Sequence, residues 1–279
     1  MNVREAFASV PREPFIPDEI FVRDASGGLV PLHRRDDPEE WRRRVAADAP
    51  VVTRVAPDPA LPAELCDPAM GRGMESTSSS SAPSVMIRMI EALAVRPGVR
   101  VLEIGTGTGY NAAVLAALAG PDNVVSVESD PVAASRARSA LAAVGASVTV
   151  VVGDGELGCL GEAPYDRLIA TASAHTIPYA WVEQTRPGGI IVVPLAPTVH
   201  PDWPLAVLHV HDDGTAQGRC VTSSPFMPLH SQQTAAQDIR QAEQRWERAG
   251  RPALTRYGLT VTPGGQSVWV DSPDSPIHS

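Results

Sequence analysis

Three glycines, a few acids and a run of serines carry the chemistry this sequence could do. Gly105, Gly107 and Gly109 stand at every second position after the apolar stretch Val101–Ile104, with Thr106 between the first two, and residues 111–118 continue as an apolar helical stretch. A strand, a glycine-rich turn and a helix in that order make the cradle of a nucleotide-type ligand. Side chains at the glycine positions would hold a ligand off the backbone and would resist positive φ angles. Such a cradle needs a carboxylate about 20 residues further on, at the end of the next strand, to accept from ribose hydroxyls, and Glu128 sits there. Asp154, followed by Gly155 at the end of a third strand, is placed to accept from an adenine amino group. Glu103 precedes the turn and either faces the ligand or is a structural carboxylate bonded to backbone amides. Just ahead of this core, Ser76, Ser78, Ser79, Ser80, Ser81 and Ser84 offer hydroxyls that can orient an anion without neutralising it.

The turn also says which ligand to expect. A dinucleotide fingerprint places Gly or Ala three positions after its second glycine, where this chain has Tyr110. That argues against NAD. Gly-x-Gly-x-Gly after an acidic strand residue is instead the pattern of enzymes that use S-adenosyl-L-methionine, a ligand with no pyrophosphate to seat on a helix N-terminus. S-adenosylmethionine is therefore the expected cofactor.

The elements that must position these residues read as an α/β alternation. Helical spacing of Val85, Met86, Met89, Ile90 and Leu93 ends at Arg96-Pro97-Gly98, and a strand follows over 99–104. Further strands are predicted over 123–128, 147–152, 165–171 and 190–194, the one over 147–152 buried on both faces to judge from its valines. The helices between them are capped by Asp130-Pro131, closed by Gly145, and stopped by Arg186-Pro187-Gly188-Gly189. This predicts a doubly wound, Rossmann-like parallel sheet with its ligands at the carboxyl ends of the strands. Residues 205–211 and 217–222 should add an antiparallel hairpin at the sheet edge. Upstream, 10–18 is so rich in proline that it must run extended as a strap, 38–47 reads as a short helix, and 48–75 reads as a long ordered loop or lid. Downstream, 231–249 is an amphipathic helix closed by Gly250, and 257–262 with 266–271 form a small hairpin before a mobile tail. The chain thus divides into an N-terminal strap, helix and substrate-side loop (1–83), a core (84–230) and a C-terminal extension (231–279).

Composition narrows the partners. A net charge of −9 and the lack of a Lys/Arg cluster argue against a nucleic-acid groove. No apolar run is long enough to span a membrane, and the N-terminus lacks the apolar region of a signal peptide, so a cytoplasmic location is expected. Cys66, Cys159 and Cys220 are too widely spaced for a disulfide framework or a zinc site. Of the seven histidines, His209 and His211 would share one face of a strand, but no cysteine or carboxylate completes a spacing, and no metal is expected. Oligomeric state is not readable.

Taken together, these segments resemble the protein-L-isoaspartate O-methyltransferase family. The similar stretches are Val10-Pro11-Arg12-Glu13-Pro14-Phe15-Ile16-Pro17, the turn from Val101 to Tyr110, Ala163-Pro164-Tyr165-Asp166 with Ile169-Ala170-Thr171-Ala172, Arg186-Pro187-Gly188-Gly189, and Phe226-Met227-Pro228-Leu229. The resemblance runs from residue 10 to about residue 230. It implies that Ser79 and Ser81 occupy the hydroxyl positions of the family's Thr-x-Ser-x-Pro element, between cofactor and substrate carboxylate, and that Ser80 and Ser84 replace an apolar residue and an aromatic or His on the substrate side. The segment 22–75 is longer than the family usually has, and 231–279 is an extension.

Differences confined to peptide-facing parts look similar to relatives that tailor ribosomally made peptides, methylating one chosen Asp whose ester closes to an aspartimide. Both additions are expected to form a recognition wall for such a peptide. Repair of isoaspartyl residues in damaged proteins is the alternative, and a catalytically silent peptide-binding protein on the same fold is an alternative of another class.

Overall fold

The alternation expected from residue 99 onward is realised in a nine-stranded sheet. The computed structural model describes residues 1–277. From the N-terminus, α1 (Val3–Ser9) leads into the strap, followed by β1 (Glu19–Arg23), β2 (Leu29–His33), α2 (Pro38–Ala46), β3 (Val51–Pro57) and β4 (Met74–Ser80). The core runs α3 (Pro83–Leu93), β5 (Val101–Ile104), α4 (Tyr110–Ala119), β6 (Val124–Glu128), α5 (Pro131–Ala143), β7 (Thr149–Val152), β8 (Tyr165–Ala170), α6 (Tyr179–Glu183) and β9 (Thr185–Pro194). After it come β10 (Pro204–Val210), β11 (Ala216–Ser223), α7 (Ala236–Arg248), β12 (Tyr257–Thr262) and β13 (Gly265–Val270).

The large sheet has the order β13-β12-β11-β10-β9-β8-β5-β6-β7. Strands β7, β6, β5, β8 and β9 are parallel, and β10 to β13 continue antiparallel. The chain moves outward from β5 through β6 to β7, then returns to β8 on the other side of β5, so the strand order reverses at β5. A crevice opens at the carboxyl ends of the strands at such a reversal. Alternation of side chains along β5 divides the core. Val101 packs with α1, α3 and α4 on one face, and Leu102 and Ile104 pack with Trp181 of α6 on the other. α4 is apolar all round and almost wholly buried, which suits a helix pinned between the sheet and α1.

Several expectations are corrected. Residues 48–75 are a loop only in part: β3 and β4 pair antiparallel within a second sheet of order β2-β1-β3-β4, and 58–73 connect them. That sheet has its own small core of Ile16, Ile20, Trp41, Val45 and Val51. The strap is not wholly extended, since Glu13–Phe15 forms a single 3-10 turn with Pro14 in its first turn. β7 is not buried on both faces; it is the edge strand, and only Val150 is enclosed. Arg186 to Gly189 do not stop a helix but lie within β9, where the pairing with β8 slips between Tyr165 and Arg167.

The β10–β11 hairpin forms but is not the sheet edge, because β12 pairs with β11 and β13 with β12. α7 begins at Ala236, not at 231. Of the tail expected to be mobile, Ile277 donates to the carbonyl of Val268 and Pro276 bridges to Trp269; residues 278–279 lie outside the described residues. No helix among the described residues is long and apolar enough to cross a membrane.

Candidate functional site

At the carboxyl end of β5 the chain makes three positive-φ turns in five residues. Gly105, Gly107 and Gly109 have φ of 93°, 53° and 86°. The three serve different needs. A Cβ on Gly105 would meet the Thr171 hydroxyl at 2.6 Å, and one on Gly109 would press on Ala137 of α5 at 3.2 Å. A Cβ on Gly107 would find only the Ser79 carbonyl, at 3.9 Å. Gly105 and Gly109 are therefore packed against protein, while Gly107 faces open space beneath the serine strand.

The carboxylate of Glu128, at the end of β6, accepts from the Gly107 N–H at 2.8 Å and from the Asp130 N–H at 3.0 Å. It stands half-buried at the rim of the turn, fixed in orientation. Thr171, just past β8, donates to the Gly105 carbonyl at 2.6 Å and so pins the first residue of the turn from the other side. Thr171 belongs to the segment Ile169-Ala170-Thr171-Ala172, and its types and spacing alone mark no role for it.

Glu103 does not reach this open space. It is fully buried, with one oxygen accepting from Asn111 at 2.7 Å and the other from the Ser126 hydroxyl, which in turn lies 2.6 Å from the Thr106 hydroxyl. Its partners are the side chains of Asn111 and Ser126 in place of the backbone amides of the structural alternative. A carboxylate behind the turn ties β5, β6, the turn and α4 together. Burial pushes its pKa up to about 7, against the hydrogen bonds from Ser126 and Asn111, with the charge of Glu128 adding to the rise. In the unfolded chain the same group titrates near 4.5. Below that both states hold the proton and the associated stability is fully present; it is lost as pH rises through about 7. The loss is about 3 kcal/mol. Glu103→Gln should remove this slope, so that denaturant midpoints of the variant change less than those of the parent between pH 5 and pH 8.

Asp154 and Gly155 follow β7. Asp154 is exposed and caps the 3-10 turn Gly155–Leu157 by accepting from the Glu156 N–H at 3.0 Å, which leaves its second oxygen toward solvent. Gly155 is glycine because a Cβ would come within 2.7 Å of Ile104.

The serine run is the last strand of the small sheet, paired with β3 on one side only. It is an ordered strand whose free edge lies over the glycine turn. Ser79 pairs with Val52, and its hydroxyl is half-exposed and has no hydrogen bond among the described residues. Ser81 is likewise half-exposed. Ser80, expected on the substrate side, points inward, 4% exposed, and its hydroxyl accepts from Arg12. Ser84 opens α3 and donates its N–H to Asp48 at 2.9 Å. Of the four serines singled out, Ser79 and Ser81 are half-exposed, Ser80 is held by Arg12, and Ser84 ties the start of α3 to Asp48.

Arg12 is the group the sequence did not reveal. Its guanidinium is buried, without a carboxylate partner, and donates to the carbonyls of Val45, Ala47, Ala49, Ser80 and Ser81 as well as to the Ser80 hydroxyl, all at 2.8–3.2 Å. One side chain thereby joins the strap, the end of α2 and the serine strand. A second clasp, the ion pair of Arg54 on β3 with Asp130 at the N-terminus of α5, holds the small sheet over the turn.

These residues fit S-adenosylmethionine. Gly107 leaves a cradle that a Cβ would fill, Glu128 presents a fixed carboxylate at the rim, and the buried amide oxygen of Asn111 has no partner among the described residues. Glu128 would hold ribose hydroxyls, Asp154 and Gly155 the base, and the turn from Gly105 to Gly109 the amino-acid portion.

Comparison with known proteins gives the same answer. Residues 65–234 match the family model for protein-L-isoaspartate(D-aspartate) O-methyltransferase. The chain is 38% identical over 196 residues to a protein-L-isoaspartate O-methyltransferase of Ignicoccus hospitalis, covering 70% of this chain and 73% of that one. It is 35% identical over 231 residues to a protein of the same name from Methanopyrus kandleri, covering 82% and 83%. A solved structure titled protein-L-isoaspartate O-methyltransferase superposes with a TM-score of 0.67 at 21% identity, over 97% of this chain and 95% of the other, and supports the fold. The chain belongs to the protein-L-isoaspartate O-methyltransferase family, whose members are S-adenosylmethionine-dependent methyltransferases.

Proposed function

We propose that the chain methylates an Asp side-chain carboxylate in a defined, ribosomally made peptide, and that the ester then closes to an aspartimide. What supports the reading is the seating of the serine strand at the glycine turn: the Ser79 carbonyl stands 3.9 Å from the place of a Gly107 Cβ, and Ser79 and Ser81 are both half-exposed. When bound, S-adenosylmethionine supplies a methyl group on a positively charged sulfur, which a carboxylate oxygen displaces. A carboxylate is ionised at neutral pH, so no general base is needed and the protein's work is placement. Ser79 and Ser81 orient the carboxylate by donating hydrogen bonds, without the cation pairing that would lower its nucleophilicity. The small sheet roofs the cradle and excludes water from it. Once the side chain is an ester, the next backbone nitrogen can close a five-membered imide with loss of methanol, without help from the protein.

Support for a defined peptide lies in the small sheet. β1, β2 and β3 fall outside the residues matched by the family model, and β4 is an edge strand whose Ser79 carbonyl lies near Gly107. The two additions do not make one wall: the small sheet sits over α5, whereas β12 and β13 extend the far edge of the large sheet. The extension meets the segment past β8 at two places: Gln232 accepts from the N–H groups of His175 and Thr176, and Gln266 of β13 accepts from the Ile177 N–H.

Repair of isoaspartyl residues is the second reading. It is favoured by the names of the relatives and by the solved structure's likeness across both additions. Either reading requires the serines. Ser81→Ala and Ser79→Ala should each lower turnover by about one to two orders of magnitude and leave cofactor affinity within about threefold. Normal methylation by both variants would remove the serine strand from the reaction.

A further inference from the structure

A cavity of about 180 Å³ borders the turn at Gly107 and Thr108 and runs away from Glu128, between the strap, the small sheet and α5. Its polar lining is Thr53, Arg54, Ser78, Thr108 and Arg136; the strap gives it an apolar wall, and no carboxylate lines it. The acids nearest in the surrounding elements are already engaged. Glu13 of the strap pairs with Arg34, and Asp130 of α5 with Arg54. Arg136, exposed on α5, forms no ion pair among the described residues. A chain of net charge −9 thus keeps an uncompensated cation at a cavity beside the cradle.

We propose that this cavity is a subsite for an acidic side chain of the peptide substrate, with Arg136 as its charge partner. The inference rests on the peptide-methylation reading and names part of what the enzyme selects. Ser78 lines the cavity, while Ser79 and Ser81 lie one and three residues along the same chain. At about 3.3 Å per residue, Ser78 stands about 3–10 Å along the backbone from Ser79 and Ser81, the span of one to three residues of an extended peptide. The apolar wall takes the methylene stem of a Glu, and the far side offers hydroxyls and a guanidinium for its head. A free C-terminal carboxylate offers the same head group.

The test is a set of synthetic peptides, each with one Asp or one isoaspartyl acceptor and with Glu or Gln at each of the three positions on either side. Each is made as the C-terminal acid and as the amide. Methylation is followed with labelled S-adenosylmethionine. At one flanking position Glu should exceed Gln in kcat/KM by about fivefold, as a partly exposed charge pair allows, and the preference should shrink in about 0.5 M salt. Arg136→Glu should reverse it. A preference that follows the acid terminus and not Glu would assign the subsite to a chain end. Methylation with no Glu or terminal-acid preference, or a preference unmoved by Arg136→Glu, would overturn the subsite alone. No methylation of any peptide would overturn the reading beneath it as well. Arg136 is exposed on its helix, so a folded variant is expected, and an unchanged circular dichroism spectrum checks it.

Discussion

Gly107→Val should weaken binding of S-adenosylmethionine and of its demethylated product at least about 100-fold, roughly 2.7 kcal/mol. Two effects add. At φ 53° a β-branched residue is strained by about 1–3 kcal/mol, and relaxing the turn would move the N–H that Glu128 holds. The new side chain would also grow into the only open side of the turn, toward Ser79. Strain alone is separated by Gly98→Val. Gly98 has φ 83° and nothing within 4 Å of a Cβ, so this variant should lose stability without losing affinity. Calorimetry that finds unchanged affinity in Gly107→Val would remove the turn from the cofactor site.

The second large effect is expected at Arg12. Arg12→Ala leaves five carbonyls and a hydroxyl without their donor, half of them in buried bonds, at about 1–3 kcal/mol for each buried group left unsatisfied. Water entering the gap recovers part of this, and a net loss of about 3–5 kcal/mol is expected. Arg12→Lys should rescue little, since an ammonium has three donors and cannot span the fork. Arg12 touches neither the glycine turn nor Glu128, so cofactor affinity should hold within about threefold while turnover falls about 100-fold as Ser79 and Ser81 lose their position. Limited proteolysis should cut the variant first within residues 45–82. Equal loss of cofactor affinity and turnover would mean a general unfolding and would contradict the positioning role.

The contrast between these residues shows what a sequence discloses. Gly107 was legible because positive φ and close backbone approach demand one residue type at a fixed distance from a strand. Glu128 was legible for a similar reason, since the repeat of strand and helix places the end of β6 beside the turn. Arg12 was not. Its partners are carbonyls of Val45, Ala47, Ala49, Ser80 and Ser81, and every residue has a carbonyl, so no pattern of types marks them. The strand state of the serine run was not legible because serine has little preference for strands; pairing with β3 decides it. The valines of β7 predicted burial that the sheet order denies, as no strand lies beyond it. Glu103 was left between two roles because face alternation says which side a strand residue takes, not whether that side opens to a ligand.

The proposed reaction is methyl transfer to the side-chain carboxylate of an ordinary Asp in one defined peptide. The most direct measurement supplies the protein with labelled S-adenosylmethionine and two peptide pools, generic isoaspartyl peptides and candidate precursor peptides containing ordinary Asp, and follows the label by mass spectrometry. The account predicts label at a single Asp of one precursor, followed by loss of methanol as the imide closes. Rapid, sequence-indifferent labelling of the isoaspartyl pool would contradict it and leave repair in its place.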